Sequence, residues 1–302
     1  MKVGMVGLGK MGNAIAQRLI QADHEVVGYD LDKEALKKAH EIGVETVSSL
    51  EDLAFATRVI WLMLPAGKPV DEAVAQLTPH MKGDDIIVDG GNSNFHDTMR
   101  RAQMLKAQNI FYIDCGTSGG LQGRANGFSL MVGGDEAIYT KLHTILVAIA
   151  TPGGVGYVGP SGAGHYVKMV HNAIEYALLQ AYAEGFQLLK QGSFKDIVFN
   201  LEHITDIWQH GSIIRSWILD LAHNVFEQYG QKFENVSGEL AEGETGRWAV
   251  EDAHQHNVPV KVIEEALDVR KLSRETGGDY ATKIVALLRH EFGGHEVKKI
   301  KK

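Results

Sequence analysis

Six residues near the start of the chain constrain its fold more than any other stretch. A short apolar run over residues 2–6 leads into Gly-Leu-Gly-Lys-Met-Gly at 7–12, and a helical pattern follows over residues 13–22. A second apolar run, over residues 25–29, ends at Asp30. Glycines spaced as G-x-G-x-x-G allow a tight strand-to-helix turn and let a pyrophosphate approach the helix N-terminus. In this context the motif predicts a dinucleotide-binding βαβ unit, whereas the same motif alone is also compatible with a structural turn.

The acidic residue after the second strand indicates which dinucleotide is bound. Asp30 can accept hydrogen bonds from both ribose hydroxyls of the adenosine and would repel a 2′-phosphate. Leu31 and Asp32 offer no cation that could neutralise such a phosphate, and Lys33 lies one step further along the chain. We therefore predict NAD rather than NADP as the cofactor.

Further short apolar runs alternate with helical patterns in the first half of the chain. They cover residues 59–64, 85–89, 111–114 and 128–132. This alternation predicts a mostly parallel sheet buried on both faces, with ligands bound outside the carboxyl ends of its strands. The loops expected at that edge comprise residues 64–66, 90–93 and 116–120. The predicted cofactor-binding residues are Gly7, Leu8, Gly9, Lys10, Met11, Gly12, Asp30, Leu64, Pro65, Ala66 and Asn92.

The second half of the chain has a different pattern. Residues 151–164 are dense in glycine and contain two prolines and a short strand-like stretch at 156–159, which is typical of the end of a domain. From residue 161 the pattern is helical, with breaks expected at Gly192, Gly211, Gly230 and Gly277. We predict an α/β Rossmann-type dinucleotide-binding domain over 1–160, followed by an all-α substrate and dimerisation domain over 161–302.

The stretch at 161–190 predicts a long helix with an unusual polar face. After Gly164 it has no proline and one glycine, and helix-favouring residues dominate it. Helical spacing places these residues on one face: Lys168, His171, Asn172, Glu175 and Tyr176. We expect the other side to make apolar contacts through Val167, Val170, Ile174, Ala177 and Leu178. A solvated face carrying a charge pair is the alternative, but the cofactor motif favours the floor of an active site.

Composition and charge limit the classes of function that fit this chain. The chain has 302 residues, a net charge of −8 and 44% hydrophobic residues, which favours neither nucleic acid nor a membrane surface as a partner. Its single cysteine excludes an internal disulfide, and its apolar start reads as a strand rather than a signal peptide. We expect a cytoplasmic protein. Although there are 14 histidines, His254 and His256 lack the i,i+4 spacing of a helical metal site, and we predict no metal.

Several motifs together resemble the decarboxylating 6-phosphogluconate dehydrogenases, in a short form, within the wider β-hydroxyacid dehydrogenases. The most specific is G-A-G-H-Y-V-K-M-V-H-N-A-I-E-Y at 162–176. The glycine turn at 7–12, D-G-G-N-S at 89–93, S-G-G at 118–120 and R-H-E-F-G-G-H at 289–295 also match. The resemblance covers nearly the whole chain.

Roles follow from this resemblance residue by residue. It implies that Lys168 is the general base and Glu175 the general acid. The substrate-binding residues that it implies are Asn92, Ser118, Gly119, Gly120, His171, Asn172, Tyr176, Arg270, Arg289 and His295. Arg270 matches a phosphate-binding arginine, and Arg289 and His295 match tail residues that enter the partner's site. The resemblance therefore implies a homodimer or a higher homo-oligomer.

The chain also departs from the family pattern. The common members are considerably longer, with a second helical repeat. NADP-dependent members carry Asn-Arg-Thr where this chain has Asp-Leu-Asp at 30–32, in agreement with NAD. A lysine of the family's cofactor loop is Pro65 here, and a substrate-phosphate lysine aligns with Gly243, for which Arg247 is the candidate substitute.

These residues suit oxidation of a secondary alcohol followed by loss of CO2. A neutral Lys168 can take the hydroxyl proton while NAD accepts hydride, and a cleft that partly desolvates Lys168 would lower its pKa. The β-keto acid then loses CO2, and Glu175 protonates carbon. We expect 6-phosphogluconate to give ribulose 5-phosphate, as in the pentose phosphate pathway and gluconate utilization.

Two other functions remain compatible with the sequence. A non-decarboxylating β-hydroxyacid dehydrogenase of the 3-hydroxyisobutyrate type would share the glycine motif and the pair Lys168 and Asn172, but not the H-N-x-I-E-Y extension or the tail. A dinucleotide-sensing protein without turnover would have no need of a base, an acid and anion ligands.

Overall fold

The structure is a computed structural model that describes residues 1–299. The chain divides into a first compact unit, Met1–Met169, and a second unit that begins at Val170. The division falls inside the helix Ala163–Gln191, named α8 below, and not at residue 160. The predicted domain boundary at 160/161 stays a prediction.

The first unit alternates strands and helices. Its strands are β1 (Lys2–Val6), β2 (Glu25–Tyr29), β3 (Glu45–Thr46), β4 (Val59–Leu62), β5 (Ile86–Asp89), β6 (Phe111–Ser118), β7 (Phe128–Gly133) and β8 (Ala150–Gly159). Its helices before α8 are α1 (Lys10–Gln21), α2 (Lys33–Glu41), α3 (Leu50–Ala56), α4 (Lys68–Leu77), α5 (Phe95–Lys106), α6 (Gly123–Asn126) and α7 (Glu136–Ile149). Single 3₁₀ turns lie at Thr78–His80 and Gly120–Gln122.

The strands form one sheet in the order β3-β2-β1-β4-β5-β6-β7-β8. All neighbouring pairs in this sheet are parallel except β6 and β7. The register aligns Val6 with Leu62, Leu62 with Asp89, and Asp89 with Asp114. The loops that follow β1, β4 and β5 therefore leave from the same edge of the sheet, where ligands bind in such folds.

Both faces of the sheet are covered, as the apolar runs predict. Val3 and Met5 of β1 belong to a buried cluster with Leu19 of α1. Val6 of the same strand belongs to a second cluster with Leu53 of α3. The prediction of a Rossmann-type, mostly parallel sheet is confirmed.

The second unit is helical over the part of the chain that the structure describes. After α8 it contains α9 (Leu201–Gln209), α10 (Trp217–Tyr229), α11 (Glu244–Gln255), α12 (Lys261–Thr276) and α13 (Tyr280–Gly293). The helices α8, α9, α10 and α12 end within two residues of the four predicted glycine breaks. Gly230 and Gly277 follow α10 and α12 directly with φ of +66° and +84°, a conformation that glycine adopts without a Cβ penalty.

Three details differ from expectation. β6 continues to Ser118 instead of ending at residue 114, and β8 begins at Ala150, although its first half is rich in glycine. The expected apolar contacts of α8 are also wrong in part. Val167, Val170, Ile174 and Leu178 are 36–50% exposed, while the buried side of the helix carries Met169, Ala173, Leu179, Ala183 and Phe186. Periodicity reveals that a face is apolar, but not which apolar face the rest of the chain covers.

Among residues 1–299, no helix is both long enough and apolar enough to cross a lipid bilayer.

Candidate functional site

The glycine turn after β1 has the backbone geometry that a dinucleotide requires. Gly7 has φ of +90°, and a Cβ on Gly12 would lie 1.9 Å from the carbonyl oxygen of Gly7, so both positions require glycine. A Cβ on Gly9 would meet no protein atom within 4 Å. Gly9 caps α1 without a side chain, and the first turn of α1 contains no acidic residue. The N-terminus of α1 is therefore accessible to an anion at close backbone distance, which fits a pyrophosphate.

Asp30 is held at the end of β2 by backbone donors. Its Oδ2 accepts a hydrogen bond from Leu8 N at 2.6 Å, and its Oδ1 accepts one from Asp32 N at 2.8 Å. A carboxylate has about four lone-pair sites, so both oxygens can still accept from ribose hydroxyls. The neighbouring Leu31 is 88% exposed and contributes no charge. This arrangement fits the adenosine ribose of NAD.

The loop after β5 is folded around the buried carboxylate of Asp89. This carboxylate accepts hydrogen bonds from Ser93 Oγ at 2.7 Å, Tyr112 Oη at 2.7 Å and Gly91 N at 3.2 Å. Burial, reinforced by the charge of Asp89, raises the pKa of Tyr112 well above its ordinary value, so that its hydroxyl stays a donor. Because Ser93 points inward, the adjacent Asn92 is exposed at the edge of the sheet.

Lys168 is carried by the second turn of α8 and is 7% exposed. Two glycines let the start of α8 lie close to the sheet. A Cβ on Gly116 of β6 would lie 2.4 Å from Lys168 Cβ, and a Cβ on Gly164 would lie 2.5 Å from Met131 O. The polar face of α8 is therefore not a solvated surface at Lys168, and the alternative of an exposed charge pair does not fit.

The start of α8 is fixed by Asp114, which is fully buried on β6. Its Oδ1 accepts a hydrogen bond from Gly162 N at 2.8 Å, and its Oδ2 accepts one from His165 N at 2.9 Å. A carboxylate near a helix N-terminus is also favoured by the helix dipole. Sequence reasoning missed this cap because the capping side chain lies about 50 residues before the helix.

His165 provides a second anchor for the same turn. It is 2% exposed, its Nδ1 lies 2.7 Å from Thr98 Oγ1, and its Nε2 lies 3.1 Å from Asp89 O. The first turn of α8 is thus tied to β5 and α5 of the same unit. The histidine is part of the G-A-G-H motif, but its contacts with Thr98 and Asp89 could not be predicted from the sequence.

In the second unit, the polar residues of α8 meet the start of α11. Thr245 Oγ1 accepts a hydrogen bond from Asn172 Nδ2 at 3.3 Å and lies 3.2 Å from Tyr176 Oη. A Cβ on Gly243 or Gly246 would lie 2.2 Å or 2.5 Å from Tyr176 Cε2. Sequence reasoning missed Thr245, although it lies between Gly243 and Arg247, the two positions that were compared with the family.

Arg270 is the most unusual charged group of the second unit. Its side chain is 2% exposed, its guanidinium carbon lies 3.6 Å from the centre of the Tyr176 ring, and neither Nη atom has a hydrogen-bond partner among the described residues. Burial and the neighbouring charge of Arg289 lower the pKa of Arg270 to about 10, although Tyr176 and Glu175 act in the opposite direction. An anion bound here would give the guanidinium the partners that it lacks.

Arg289 neighbours the same groups of its own chain as Arg270, namely Tyr176 and Glu175. Burial lowers its pKa, against the influence of Tyr176 and Glu175. The resemblance instead places Arg289 and His295 in a partner's site, which stays a prediction. His295 is exposed beyond the end of α13, where its carbonyl oxygen lies 2.8 Å from His290 Nδ1.

The remaining predicted residues occupy loop positions. Ser118 ends β6, and Gly119 and Gly120 follow it with φ of +140° and +53°. Leu64, Pro65 and Ala66 lie between β4 and α4. His171 Nδ1 lies 3.1 Å from Asn172 Oδ1. The assignment of these side chains to substrate or cofactor stays a prediction.

The suggested substitute for the family lysine is engaged elsewhere. Arg247 Nη1 lies 3.4 Å from Glu242 Oε1, and its Nε lies 3.6 Å from Glu251 Oε1. The described residues contain no group of three or more His, Cys, Asp or Glu side chains that could hold a metal ion.

Comparison with known proteins identifies the family. Residues 2–159 match the NAD binding domain of 6-phosphogluconate dehydrogenase, and residues 164–291 match the C-terminal domain of 6-phosphogluconate dehydrogenase. These matches confirm the predicted NAD-binding domain.

Individual relatives agree with the family models. The NAD(+)-dependent, decarboxylating 6-phosphogluconate dehydrogenase of Haloferax volcanii is 44% identical over 301 residues, which cover 98% of each chain. The 6-phosphogluconate dehydrogenase structure of Plasmodium falciparum has a TM-score of 0.81 at 28% identity, covering 91% of this chain and 62% of that one.

The fold is also shared outside this family. The 3-hydroxyisobutyrate dehydrogenase of Mycobacterium tuberculosis has a TM-score of 0.75 at 20% identity, covering 95% of this chain and 99% of that one. At that identity the likeness concerns the fold alone. The two family models and the full-length relative are more specific, and they show that the chain belongs to the 6-phosphogluconate dehydrogenase family.

Proposed function

We propose that the protein is an NAD-dependent enzyme that oxidises and decarboxylates 6-phospho-D-gluconate to ribulose 5-phosphate and CO2. The observation that carries this proposal is the buried Arg270, whose two Nη atoms have no hydrogen-bond partner among residues 1–299, beside Tyr176, Glu175 and Arg289. A phosphorylated sugar acid supplies an anion for such a group. A small unphosphorylated hydroxy acid has no second anionic end to place there.

Lys168 and Glu175 divide the proton transfers between them. NAD, when bound, accepts the hydride from the carbon that carries the β-hydroxyl. The Lys168 amine takes the proton of that hydroxyl, and a lysine withdrawn from water can be neutral enough to do so. As CO2 leaves, the protonated amine returns its proton to the carbonyl oxygen, and an enediol forms. Glu175, two turns further along α8, then protonates the carbon that lost CO2, while the neutral Lys168 amine takes the proton of the enediol hydroxyl and the ketone forms.

The oxygen-rich substrate requires ligands besides the two catalytic groups. We assign this role to Asn92, Ser118, Gly119, Gly120, His171, Asn172, Tyr176, Arg270, Arg289 and His295. We add Thr245, because its hydroxyl contacts both Asn172 and Tyr176. We also propose that the active form is a homodimer or a higher homo-oligomer, since Val167, Val170, Ile174 and Leu178 of α8 are exposed in the single chain.

The alternative is a non-decarboxylating dehydrogenase of the 3-hydroxyisobutyrate type, whose fold is closely similar. An assay of NADH formation with 6-phosphogluconate, gluconate and 3-hydroxyisobutyrate, repeated with NADP, separates the two functions. We expect activity with 6-phosphogluconate and NAD, with one CO2 released for each NADH formed. Turnover of 3-hydroxyisobutyrate without CO2 would instead establish the alternative. Binding of NADH without oxidation of any substrate would indicate a sensing protein.

A further inference from the structure

Arg101 is a buried cation of the first unit, and the proposed proton transfers give it no role. It is on α5, its side chain is fully buried, and it is among the largest fully buried side chains in the described chain. A guanidinium withdrawn from water is costly unless its donors are paired. Its partners therefore indicate why this position carries an arginine.

The guanidinium contacts two loops at the ligand-binding edge of the sheet, one after β4 and one after β5. Its Nη2 donates to the carbonyl oxygen of Gly67, in the loop at residues 63–67 after β4, at 3.1 Å. Its Nη1 lies 3.4 Å from Ser93 Oγ, in the loop at residues 90–94 after β5, and 3.8 Å from Asp89 Oδ2. One rigid group thus spans the predicted cofactor loop and the loop that carries Asn92.

Carboxylates hold the guanidinium in this position. Its Nε donates to Asp71 Oδ1, in the first turn of α4, at 2.8 Å. Burial acts to lower the pKa of Arg101, but the hydrogen bond that it donates to Asp71 and the charges of Tyr112, Asp71 and Asp89 outweigh burial, and the net pKa is raised. Arg101 remains a cation that can donate to every partner at once.

We propose that Arg101 is a positioning residue that holds the loops at 63–67 and 90–94 in one fixed arrangement, so that the nicotinamide cofactor and the substrate ligand Asn92 are placed together. This rests on the proposed function, because that function assigns the two loops to cofactor and substrate. The planar fork of arginine is required, since a lysine offers one nitrogen and cannot reach Gly67 O and Ser93 Oγ simultaneously.

The test compares Arg101→Lys with Arg100→Met. Arg100 is a matched control, because it donates to the same Asp71 at 2.9 and 3.1 Å and to Asp97 at 3.1 Å, but it is 52% exposed. KM for NAD and for 6-phosphogluconate, the Kd of NADH and the amide hydrogen exchange of both loops are measured. For Arg101→Lys we expect both KM values and the Kd to rise about tenfold, because small displacements of positioned ligands are costly. Amide hydrogen exchange should become faster in both loops. For Arg100→Met, the KM values, the Kd and the exchange rates should all stay within about twofold of wild type.

The outcomes separate this proposal from the proposed function. Wild-type KM, Kd and exchange in Arg101→Lys, or equal changes in Arg100→Met, would overturn the positioning role. A lower Tm without any change in these quantities would also overturn it and would indicate stability alone. Arg101→Met removes the cation altogether, and if it fails to fold, Arg101→Lys still decides. If the wild type does not oxidise 6-phosphogluconate, the proposed function fails, while the NADH and exchange measurements still test the link between the loops.

Discussion

At the scale of single residues, Lys168 has the burial that its proposed role as a base requires. An exposed lysine is protonated at neutral pH and cannot accept a proton. Lys168 is 7% exposed on α8, with the glycine backbone of β6 against its Cβ. The glycines at positions 116 and 164 are therefore part of the candidate site, although they carry no chemistry.

The first prediction concerns Lys168→Met, which keeps most of the length of the side chain but removes the amine that would accept the proton. We expect kcat to fall by about 10²- to 10⁴-fold, the usual contribution of a positioned general base. The Kd of NADH should be unchanged. Steady-state kinetics and fluorescence titration measure the two quantities, and Lys141→Met, at an exposed position of α7, is the control. A kcat near that of wild type would contradict the assignment of Lys168 as base.

The second prediction concerns acid stability and Asp71. Although burial alone would raise it, hydrogen bonds from Arg101 and Arg100 lower the pKa of Asp71 below its ordinary 3.8. A carboxylate with a lowered folded-state pKa stabilises the fold above its unfolded pKa and loses this contribution as pH falls through the folded value.

Asp71→Asn should therefore cost stability at neutral pH and progressively less below about pH 4. The carboxylate is 40% exposed, so after solvent screening we expect about 1 kcal/mol or less. Urea unfolding at pH 7, 5, 4 and 3 measures the difference, with Asp268→Asn on the exposed side of α12 as control. A difference that stays constant down to pH 3 would show that Asp71 does not act through its charge.

At the scale of elements, α8 acts as the carrier of the candidate site. Its 29 residues hold both proposed proton-transfer groups, and a continuous helix keeps them two turns apart on one face. Its first turn is anchored in two ways: Asp114 of β6 accepts from Gly162 N and His165 N, and the ring of His165 contacts Thr98 of α5 and Asp89 of β5. The position of Lys168 therefore depends on how firmly this turn is held.

The third prediction tests the cap with Asp114→Asn. Both carboxylate oxygens accept buried backbone N–H groups, so an asparagine must turn its own NH2 towards one of them. We expect a loss of about 1–3 kcal/mol in the free energy of unfolding, the cost of a buried unsatisfied donor. The same change should lower kcat about tenfold or more through displacement of Lys168.

An exposed cap provides the matched control for this test. Asp135 caps α7 by accepting from Ala137 N and Ile138 N with one oxygen, and it is solvent-exposed. Asparagine is an equally good cap in such a position, so Asp135→Asn should leave both quantities almost unchanged. Similar losses in the two variants would mean that burial of the Asp114 cap is unimportant.

At the scale of the whole molecule, two features bear on assembly. Val167, Val170, Ile174 and Leu178 recur at helical spacing on α8 and remain exposed. Contiguous exposed apolar surface is typical of protein interfaces. Arg289, however, lies in a cluster of its own chain with Arg270.

The fourth prediction concerns two separate questions: whether the chain forms an oligomer, and whether Arg289 acts in its own chain or in the partner's site. We expect a mass of at least twice the 33.1 kDa of one chain by light scattering. Lys168→Met and Arg289→Met, co-expressed with different tags, should give inactive mixed oligomers if Arg289 acts within its own chain, where it neighbours Arg270 and Tyr176. Mixed oligomers with recovered activity would show instead that the tail enters the partner's site. Homo-oligomers of each variant are the controls.

Local sequence patterns were sufficient to predict much of the fold and part of the candidate site. The glycine turn, Asp30 and the polar face of α8 each lie within about 30 consecutive residues, and the alternation of short apolar runs with helical stretches indicated the parallel sheet. Such features depend on backbone sterics and periodicity, which neighbouring residues determine among themselves.

Only the tertiary structure decided which distant groups meet. Thr245 reaches Asn172 across 73 positions, and Asp114 caps a helix that begins about 50 residues later. Arg101 joins two loops that belong to different βα units. Which apolar face of α8 is buried was decided in the same way. Contacts of this kind depend on how elements pack, and no local pattern records a partner that the fold brings in from far along the chain.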